Sequence, residues 1–409
     1  MALRSANAGA QGNPDSLLLH RLAQRFAGLA GDAAPDDPAA LAGEFILLVN
    51  ELASIDRDGL PEANRVDYDV LNWHLGIGIV EQLEPELPAY ELALIHHTGE
   101  RQDPEELHTL GLSEVARLQG EMEALIERYD PDAQLADFLG AARTDDRMYA
   151  SSRDELLIHA RNTAARIRTA LPDLFHDVPE TAFQIVTPGD RRAPRYMAWY
   201  QGPGTGRNAR GYVVLNPDPR QVPLFVLDAL ILHEAMPGHH YQMAWTAEEV
   251  DVPRWRDEIM LTVFVEGWGL YAESLGGDLG VYRHPMSELG RLNLEMWRAI
   301  RLVVDTGLHA FDWTPARATQ YFAEHTALPR AQIAVEVERY GDNPGQAVAY
   351  KLGEQRILAM RARAEKALGP AFDIRDFHRV LHQHGPVPMR TLDEIVDAWI
   401  SAQQTAPEL

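Results

Sequence analysis

Apolar positions in the first part of the chain recur every three or four residues, which is the spacing of one face of an α-helix. The first two predicted helices carry the apolar stripes Leu17, Leu18, Leu22, Phe26 and Leu41, Phe45, Leu48, Leu52. Three further helices are predicted over residues 66–83, 112–129 and 147–171. The pattern up to about residue 170 therefore predicts a helical lobe.

The pattern changes between residues 180 and 220, where short β-branched and aromatic segments are bounded by Gly and Pro. Such segments are typical of strands, and three are predicted over residues 182–186, 195–200 and 211–216. Pro217 and Pro219 then interrupt the chain, and the helical pattern resumes near residue 222 and continues almost to the C-terminus. The sequence thus predicts one small sheet before a second group of helices.

These elements define a mainly α-helical fold with two lobes and one small β-sheet. Residues 1–14 are expected to form a flexible leader, residues 15–180 an N-terminal helical lobe and residues 181–409 a second lobe. The second lobe is expected to contain the sheet over residues 181–216, a first group of helices over 222–275 and the C-terminal helices over 285–403.

Composition and charge narrow the class of protein. The 409 residues are 46% hydrophobic and 24% charged, which are ordinary values for a globular chain. The absence of Cys excludes a disulfide scaffold, a thiolate metal site and a Cys nucleophile. A formal net charge of -24 disfavours binding to nucleic acid or anionic membranes. The chain has neither a signal-like apolar start nor the roughly 18 apolar residues of a membrane span. We therefore expect a cytoplasmic protein with no nucleic-acid or membrane partner.

Three histidines and a glutamate lie within eight residues of the apolar segment that follows the predicted sheet. His233 and Glu234 open it as in the metallopeptidase signature, whose second His normally follows four residues after the first on one helix face. Position 237 is Pro, so that second His is missing. Because Pro lacks an N–H and Gly238 permits unusual backbone angles, a remodelled helix could absorb two residues and return His239 to the face of His233. The alternative is a helix that ends at Pro237 with surface histidines after it, and we favour the metal site.

Straight-helix geometry leaves His239 and His240 as alternatives for the second ligand. At about 100° per residue, His239 lies roughly 240° from His233, whereas His240 returns to within about 20° of it. The rise from His233 to His240 would be roughly 10.5 Å, however, which is long for two imidazoles on one ion. Because the Pro-Gly pair disfavours a straight helix, we predict His239 as the ligand and His240 as a nearby contact of the ligands or the substrate.

Glu266 lies in an apolar helical segment, 33 residues after His233. A buried carboxylate is costly unless it is paired or bound to a metal. Gly267 and Gly269 beside it allow a helix or a ligand to approach closely. Two His, one Glu and an open position for water form a recognised catalytic zinc set. A salt bridge to an Arg would explain Glu266 alone, but the neighbouring His cluster favours zinc.

Four ordered motifs resemble a known bacterial family. They are His233-Glu-Ala-Met-Pro-Gly-His-His-Tyr-Gln, Glu266-Gly-Trp-Gly-Leu-Tyr-Ala-Glu273, Arg301-Leu-Val-Val-Asp-Thr-Gly-Leu-His309 and Arg339-Tyr-Gly-Asp-Asn-Pro-Gly-Gln-Ala-Val-Ala-Tyr350. They look like the family filed as domain of unknown function 885, which is grouped with the gluzincin metallopeptidases. Within that clan the chain resembles the helical carboxypeptidase Taq, thimet oligopeptidase and angiotensin-converting enzyme types, and departs from them by two extra residues in the His-Glu motif. The resemblance implies a two-lobed helical fold with a cleft between the lobes.

The resemblance also assigns roles to single residues. The zinc ligands correspond to His233, His239 and Glu266. Glu234 matches the general base that takes the proton of water, and Tyr350 matches the Tyr that donates to the oxyanion. The predicted strand over residues 212–216 is similar to the edge strand that holds an extended peptide substrate.

Weaker candidates lie on the C-terminal helices. Asp305 and His309 are four residues apart on one helix face, so His309 is a second candidate donor to the substrate, oriented by Asp305. An ordinary satisfied polar pair is an equal alternative. Tyr340 is the reserve for Tyr350. The histidines expected at the surface are His378, His382 and His384.

Together these residues predict a zinc-dependent hydrolase, most specifically a metallopeptidase that cleaves short peptides. A zinc ion on the three ligands would polarise the scissile carbonyl, and Glu234 would move the proton. Two other classes stay open. One is a zinc hydrolase of a different amide or ester, and the other is a non-catalytic binding protein on a degenerate peptidase scaffold.

Overall fold

A computed structural model describes residues 13–29, 35, 37–83, 87–188, 196–204, 209–256 and 261–405. The leader predicted over residues 1–14 lies outside these ranges except for its last two residues, and Pro14 already begins the first helix. Within the described ranges, no helix combines the length and the apolar character needed to cross a bilayer.

The chain before the sheet is helical, as the sequence pattern predicts. Its helices are α1 (Pro14–Leu29), α2 (Pro38–Leu52), α3 (Glu62–Leu83), α4 (Ala89–Thr98), α5 (Pro104–Glu127), α6 (Leu135–Thr144) and α7 (Arg153–Ala170). Asp103 and Ser152 cap α5 and α7 by accepting hydrogen bonds from backbone N–H groups of the first turn. The sequence pattern does not predict α4 or α6, because ten residues give too few turns for a clear period.

The buried face of α1 differs from the predicted stripe. Leu19, Leu22 and Phe26 are buried, whereas Leu17 is 51% exposed. The prediction that Leu17 belongs to the buried face is therefore wrong, because Leu19 takes its place and packs with Leu22 against α2 and α3.

The sheet has three strands, and their spatial order decides which of them lies at an edge. Its strands are β1 (Phe183–Val186), β2 (Ala198–Gln201) and β3 (Gly211–Leu215), in the spatial order β1-β3-β2. β3 pairs in parallel with β1 and antiparallel with β2. The prediction of three strands is confirmed, with Arg195 of the second lying outside the described residues. The prediction that residues 212–216 form an edge strand is wrong, because β1 and β2 occupy both sides of β3.

The helices after the sheet carry most of the candidate site. They are α8 (Leu227–Glu234), α9 (His239–Glu249), α10 (Thr262–Ser274), α11 (Pro285–Ala310), α12 (Pro315–His325), α13 (Arg330–Asp342), α14 (Ala349–Leu368), α15 (Ile374–His382) and α16 (Met389–Thr405). The prediction of a mainly helical fold with one small sheet is thus confirmed.

One large apolar core joins the two parts of the chain. It contains side chains of α5, α6 and α7 together with the sheet and α8 to α16, so it continues across residue 180. α10 and α14 approach most closely at two glycines, where a Cβ on Gly267 would lie 2.5 Å from the Cα of Gly353. Only residues without a side chain permit this contact, which places α14 directly beside the helix that carries Glu266.

Candidate metal centre

A break between α8 and α9 forms the first part of the site. α8 ends at Glu234 and α9 begins at His239. The N–H of Gly238 donates to the carbonyl of Leu232 at 2.9 Å. A Cβ at Gly238 would lie 1.8 Å from the carbonyl oxygen of His233, so only Gly fits there. The connecting residues therefore loop out of the helix, and His239 faces back towards His233.

Three donor atoms converge at this break. Nε2 of His233 lies 3.5 Å from Oε2 of Glu266, and Nε2 of His239 lies 3.4 Å from the same oxygen. The two imidazole centroids are 4.7 Å apart and nearly perpendicular. All three donor atoms lie within 4.8 Å of one another. The structure thus brings together the three predicted ligands, which come from α8, α9 and α10.

The spacing of each histidine from Glu266 fits a zinc ion. A tetrahedral zinc with ligand bonds of about 2.0–2.1 Å separates its donor atoms by about 3.3–3.4 Å. The observed separations of 3.5 and 3.4 Å are close to this value. Two neutral imidazoles and one carboxylate are also a donor set that zinc accepts.

Glu273 and Arg298 orient the first of these histidines. Nδ1 of His233 donates to Oε1 of Glu273 at 2.8 Å, and Arg298 pairs with the same oxygen at 2.9 Å. Both partners are buried. When a cation is bound, a proton held on Nδ1 would leave Nε2 as the ligand atom, the arrangement typical of a metal-binding His. The sequence analysis did not assign either residue, although Glu273 follows Glu266 by seven residues and so shares its helix face.

Burial and mutual charge shift the pKa values of the cluster. Burial alone lowers the pKa of His233, but hydrogen bonds to Glu266 and Glu273 outweigh it and raise that pKa to about 9. Burial opposes ionisation of Glu266 as well, yet the His239 and His233 imidazoles hold its pKa well below the ordinary value. The cluster therefore favours a carboxylate facing positive charge, which is also what a cation at its centre would supply.

Glu234 lies beside the three donors. It is the last residue of α8, it is 7% exposed, and it lines the same cavity as His233. Burial raises the pKa of its carboxyl, and the charges of His233 and His239 act in the opposite direction. Within the described residues its carboxylate has no hydrogen-bond partner on the protein, so it faces the cavity.

The cavity in front of these residues has a volume of about 860 Å³. We call it the site cavity, and four elements line it besides the helices that carry the three donors. Its lining residues include Ala198, Trp199 and Tyr200 of β2, Arg298 and Arg301 of α11, Glu336 and Arg339 of α13, and Tyr350 of α14. The wall that these four elements form is therefore rich in guanidinium and aromatic groups.

Tyr350 lies in this wall with its ring covered by Arg301. The guanidinium carbon is 4.0 Å from the ring centroid, and the Tyr350 hydroxyl accepts a hydrogen bond from Gln346 at 3.4 Å. Burial and the charge of Glu266 both raise the pKa of Tyr350. The hydroxyl therefore keeps its proton at neutral pH and can donate it to a group in the cavity.

His240 points away from the three donors. It is fully buried, its Nε2 donates to the carbonyl of Thr181 at 2.9 Å, and its Nδ1 accepts from the hydroxyl of Tyr200 at 2.8 Å. The structure thus separates it from the three donors and makes it the support of Tyr200, which lines the site cavity.

Asp305 and His309 are not brought to the site cavity. Asp305 accepts hydrogen bonds from the Tyr90 hydroxyl at 2.7 Å and from the N–H of Gly345 at 3.0 Å. His309 stacks on Tyr90 and donates from Nε2 to the carbonyl of Tyr340 at 2.8 Å. The predicted role of His309 as a donor to substrate is therefore not supported by its position, because both groups are used to join α4, α11 and α13.

Tyr340 is a core residue. Its hydroxyl accepts from Trp297 at 2.8 Å and from Arg301 at 2.9 Å, and donates to Glu336 at 2.8 Å. It is completely buried, so the hydroxyl has no remaining access to a substrate. Its predicted use as a reserve for Tyr350 is not supported.

Two of the three histidines predicted at the surface are buried. His378 donates to the carbonyl of Leu174 at 2.9 Å and contacts the Tyr271 hydroxyl at 2.9 Å. The ring of His382 packs edge-on against Trp268 at 4.1 Å. Only His384 is partly exposed, with Nε2 3.2 Å from Glu62. The prediction for His378 and His382 is wrong, because α15 buries one face against α9 and α10.

The fold and the site define a mainly helical protein with a His-His-Glu cluster at the wall of a large cavity. The chain belongs to the family described as bacterial protein of unknown function (DUF885), whose model matches residues 87–396. The predicted resemblance to this one family is thereby confirmed. No curated protein matches the chain.

Two solved structures are similar to this chain. The crystal structure of "the putative lipoprotein from Colwellia psychrerythraea" is 27% identical with a TM-score of 0.73, and the match covers 97% of this chain and 72% of that one. A "putative lipoprotein of unknown function from Shewanella oneidensis" is 17% identical with a TM-score of 0.64, and the match covers 93% of this chain and 77% of that one. The second likeness concerns the fold alone.

Proposed function

We propose that this protein is a zinc-dependent peptidase of the gluzincin type that acts on short peptides. The observation that carries the proposal is the convergence of His233, His239 and Glu266 at 3.4–3.5 Å, with Glu234 beside them in one cavity. When bound there, zinc would supply the Lewis acidity that polarises a carbonyl group and acidifies water.

The residues around the cluster suit the proton movements of hydrolysis. Glu234 takes a proton from the attacking water and passes it to the leaving amine, which is the task of a general base that later acts as an acid. The Tyr350 hydroxyl donates to the carbonyl oxygen as negative charge develops on it. Glu273 keeps His233 in the tautomer that offers Nε2.

The edge of the sheet suits an extended peptide. Among the described residues β2 has a neighbouring strand on one side only, and three of its residues line the site cavity. A peptide added along its free edge would gain main-chain hydrogen bonds in a sequence-independent way. β2 therefore takes the role that the sequence analysis gave to residues 212–216. The cavity volume of about 860 Å³ lies within the roughly 300–1,000 Å³ typical of small-ligand sites, which favours short peptides over folded proteins.

The test combines metal content with cleavage on one preparation. The full chain should bind one zinc ion per molecule, and mass spectrometry should detect cleavage of a mixed oligopeptide library. Glu234→Gln should keep the zinc and lose hydrolysis by at least about 10²–10⁴-fold. Glu324→Gln, an exposed carboxylate on α12 outside the cavity, is the matched control and should keep full activity.

Two results would contradict the proposal. Tight zinc binding with hydrolysis of only non-peptide amides or esters would favour the more general zinc hydrolase. A protein that takes up no zinc would favour a binding protein on a degenerate peptidase scaffold.

A further inference from the structure

Two arginines in the wall of the site cavity share a single counter-ion. Oε2 of Glu336 accepts from Arg301 at 3.2 Å and from Arg339 at 2.7 Å. The same oxygen also accepts from the Tyr340 hydroxyl at 2.8 Å. These contacts and the two positive charges lower the pKa of Glu336 to about 2, against the effect of burial. The cluster of Arg301, Glu336 and Arg339 therefore carries one net positive charge.

One of the two guanidinium groups also has a donor without a partner among the described residues. Arg301 is 3% exposed and lines the site cavity, yet its buried Nη1 has no hydrogen-bond partner among the described residues. A buried guanidinium N–H without a partner is costly and needs an explanation. Arg339, with 17% of its side chain exposed, presents the more accessible edge of the same pair.

The cavity also holds other charged groups, and each of them either has its own counter-charge or is exposed to water. The carboxylates of Glu234 and Glu266 face the imidazoles of His233 and His239. Arg298 is matched by its own carboxylate, Glu273, at 2.9 Å. Glu338 and Asp342 also line the cavity, but both are exposed, so water screens their charges. The excess positive charge therefore belongs to the buried part of the wall.

We propose that Arg301 and Arg339 form a subsite for a carboxylate group of the substrate. Arg is the side chain that binds a carboxylate through two parallel hydrogen bonds, and a carboxylate would supply both the missing partner and the missing negative charge. Arg301 lies against the ring of Tyr350 at 4.0 Å, so the subsite adjoins the proposed oxyanion donor. The role of this subsite rests on the proposed function, because a carboxylate subsite would select which peptides the protein cleaves.

A peptide can offer this carboxylate from two sources, the free C-terminus or an acidic side chain. Four probes separate them: acetyl-tetra-alanine with a free C-terminus, its C-terminal amide, the same amide with Glu at the third position, and the Gln version of that amide. Binding is measured by calorimetry to zinc-loaded and zinc-free Glu234→Gln protein, and kcat/KM is measured with the wild-type protein.

One of the two carboxylate probes should bind at least about 100-fold more tightly than its neutral counterpart, since removing one partner of a buried charged pair has an effect of this size. Arg339→Gln and Arg301→Lys should reduce this preference to below about 10-fold. Arg363→Gln, on an exposed part of α14 where it pairs with Asp393, should leave it unchanged. Circular dichroism checks folding, and Arg339→Gln carries the test alone if the buried Arg301→Lys does not fold.

The outcomes separate this subsite from the proposed function. Equal binding of all four probes would overturn the subsite, even if the peptides were cleaved. A preference that persists in both arginine variants and disappears when zinc is removed would overturn it as well, because the carboxylate would then be binding the metal. A preference that depends on the arginines without any cleavage would support the subsite and contradict the peptidase.

Discussion

Replacing Gly269 by Ala tests whether the position of the His233 imidazole controls metal binding. Gly269 lies on α10, and a Cβ built there would be 2.7 Å from Cε1 and 2.9 Å from Nε2 of His233. Because ordinary contacts begin at 3.4 Å, the ring would have to retreat by about 0.7 Å from the 2.7 Å position. The substitution therefore acts on one predicted ligand without removing any donor atom.

This displacement is large for a metal site, where ligand distances are held within about 0.2 Å. We expect zinc affinity to fall by at least the roughly 10–100-fold that follows from losing an outer partner of a ligand. The free energy of unfolding of the metal-free protein should fall by only about 0–2 kcal/mol. Overpacking costs about 1–3 kcal/mol, and the better helix propensity of Ala returns about 1 kcal/mol.

Zinc dissociation constants from chelator competition and urea unfolding of the metal-free protein measure the two effects separately. Gly120→Ala is the control, since Gly120 lies on α5 with no heavy atom within 4 Å of the added Cβ. It should stabilise the protein by up to about 1 kcal/mol and leave zinc affinity unchanged. Wild-type zinc affinity in Gly269→Ala would refute the assignment of His233 as a ligand.

Three further predictions use other parts of the site. His239→Ala should lose stoichiometric zinc while His240→Ala keeps it, and full zinc retention in His239→Ala, measured by mass spectrometry, would contradict the ligand assignment. Tyr350→Phe should lower kcat and kcat/KM together by about 10²–10³-fold with unchanged zinc content, whereas Tyr149→Phe, whose hydroxyl bonds the carbonyl of Arg143 outside the cavity, should not change them. Burial raises the pKa of Asp305 to about 6 from its ordinary 3.8. The native state therefore binds more protons than the unfolded state between these pH values, and this residue's contribution to stability falls as pH rises through them. The free energy of unfolding of Asp305→Asn, measured with urea, should therefore rise relative to that of the wild type by up to about 3 kcal/mol between pH 4 and pH 7. A difference between the two proteins that does not change with pH would count against the shifted pKa.

The cluster of donors could be predicted because it depends on short stretches of sequence. The apolar neighbours of His233 and Glu266 indicate burial, and Pro237 with Gly238 indicates a helix that is remodelled at one point. The structure places the loop at that point and brings His239 to the other donors. The choice of His239 over His240 depends on the backbone of this loop. In a straight helix His239 would point away from His233, and His240 would share its face.

The charged network behind the donors could not be predicted in the same way. Arg298 with Glu273 and Arg301 with Glu336 are pairs between different helices, separated by 25 and 35 residues of sequence. No periodic pattern marks such pairs, because each partner alone is an ordinary charged residue of an amphipathic helix. The sequence predicts His382 at the surface for a related reason, since its neighbours indicate a helix end but not the aromatic residues of other helices that cover it.

Gly267 and Gly353 hold the main chains of α10 and α14 in direct contact. A Cβ on Gly353 would lie 2.0 Å from the carbonyl oxygen of Val263. Neither helix can therefore slide along the other unless the two main chains first move apart. Glu266 precedes one glycine, and Tyr350 lies three residues before the other. A contact between main chains cannot relax by a change of side-chain rotamer, so the two helices should move as one rigid unit. Thermal motion that displaces the Glu266 carboxylate should then displace the Tyr350 phenol as well. The spacing of these two groups would then persist even if α13, which also lines the site cavity, moves as ligands enter and leave.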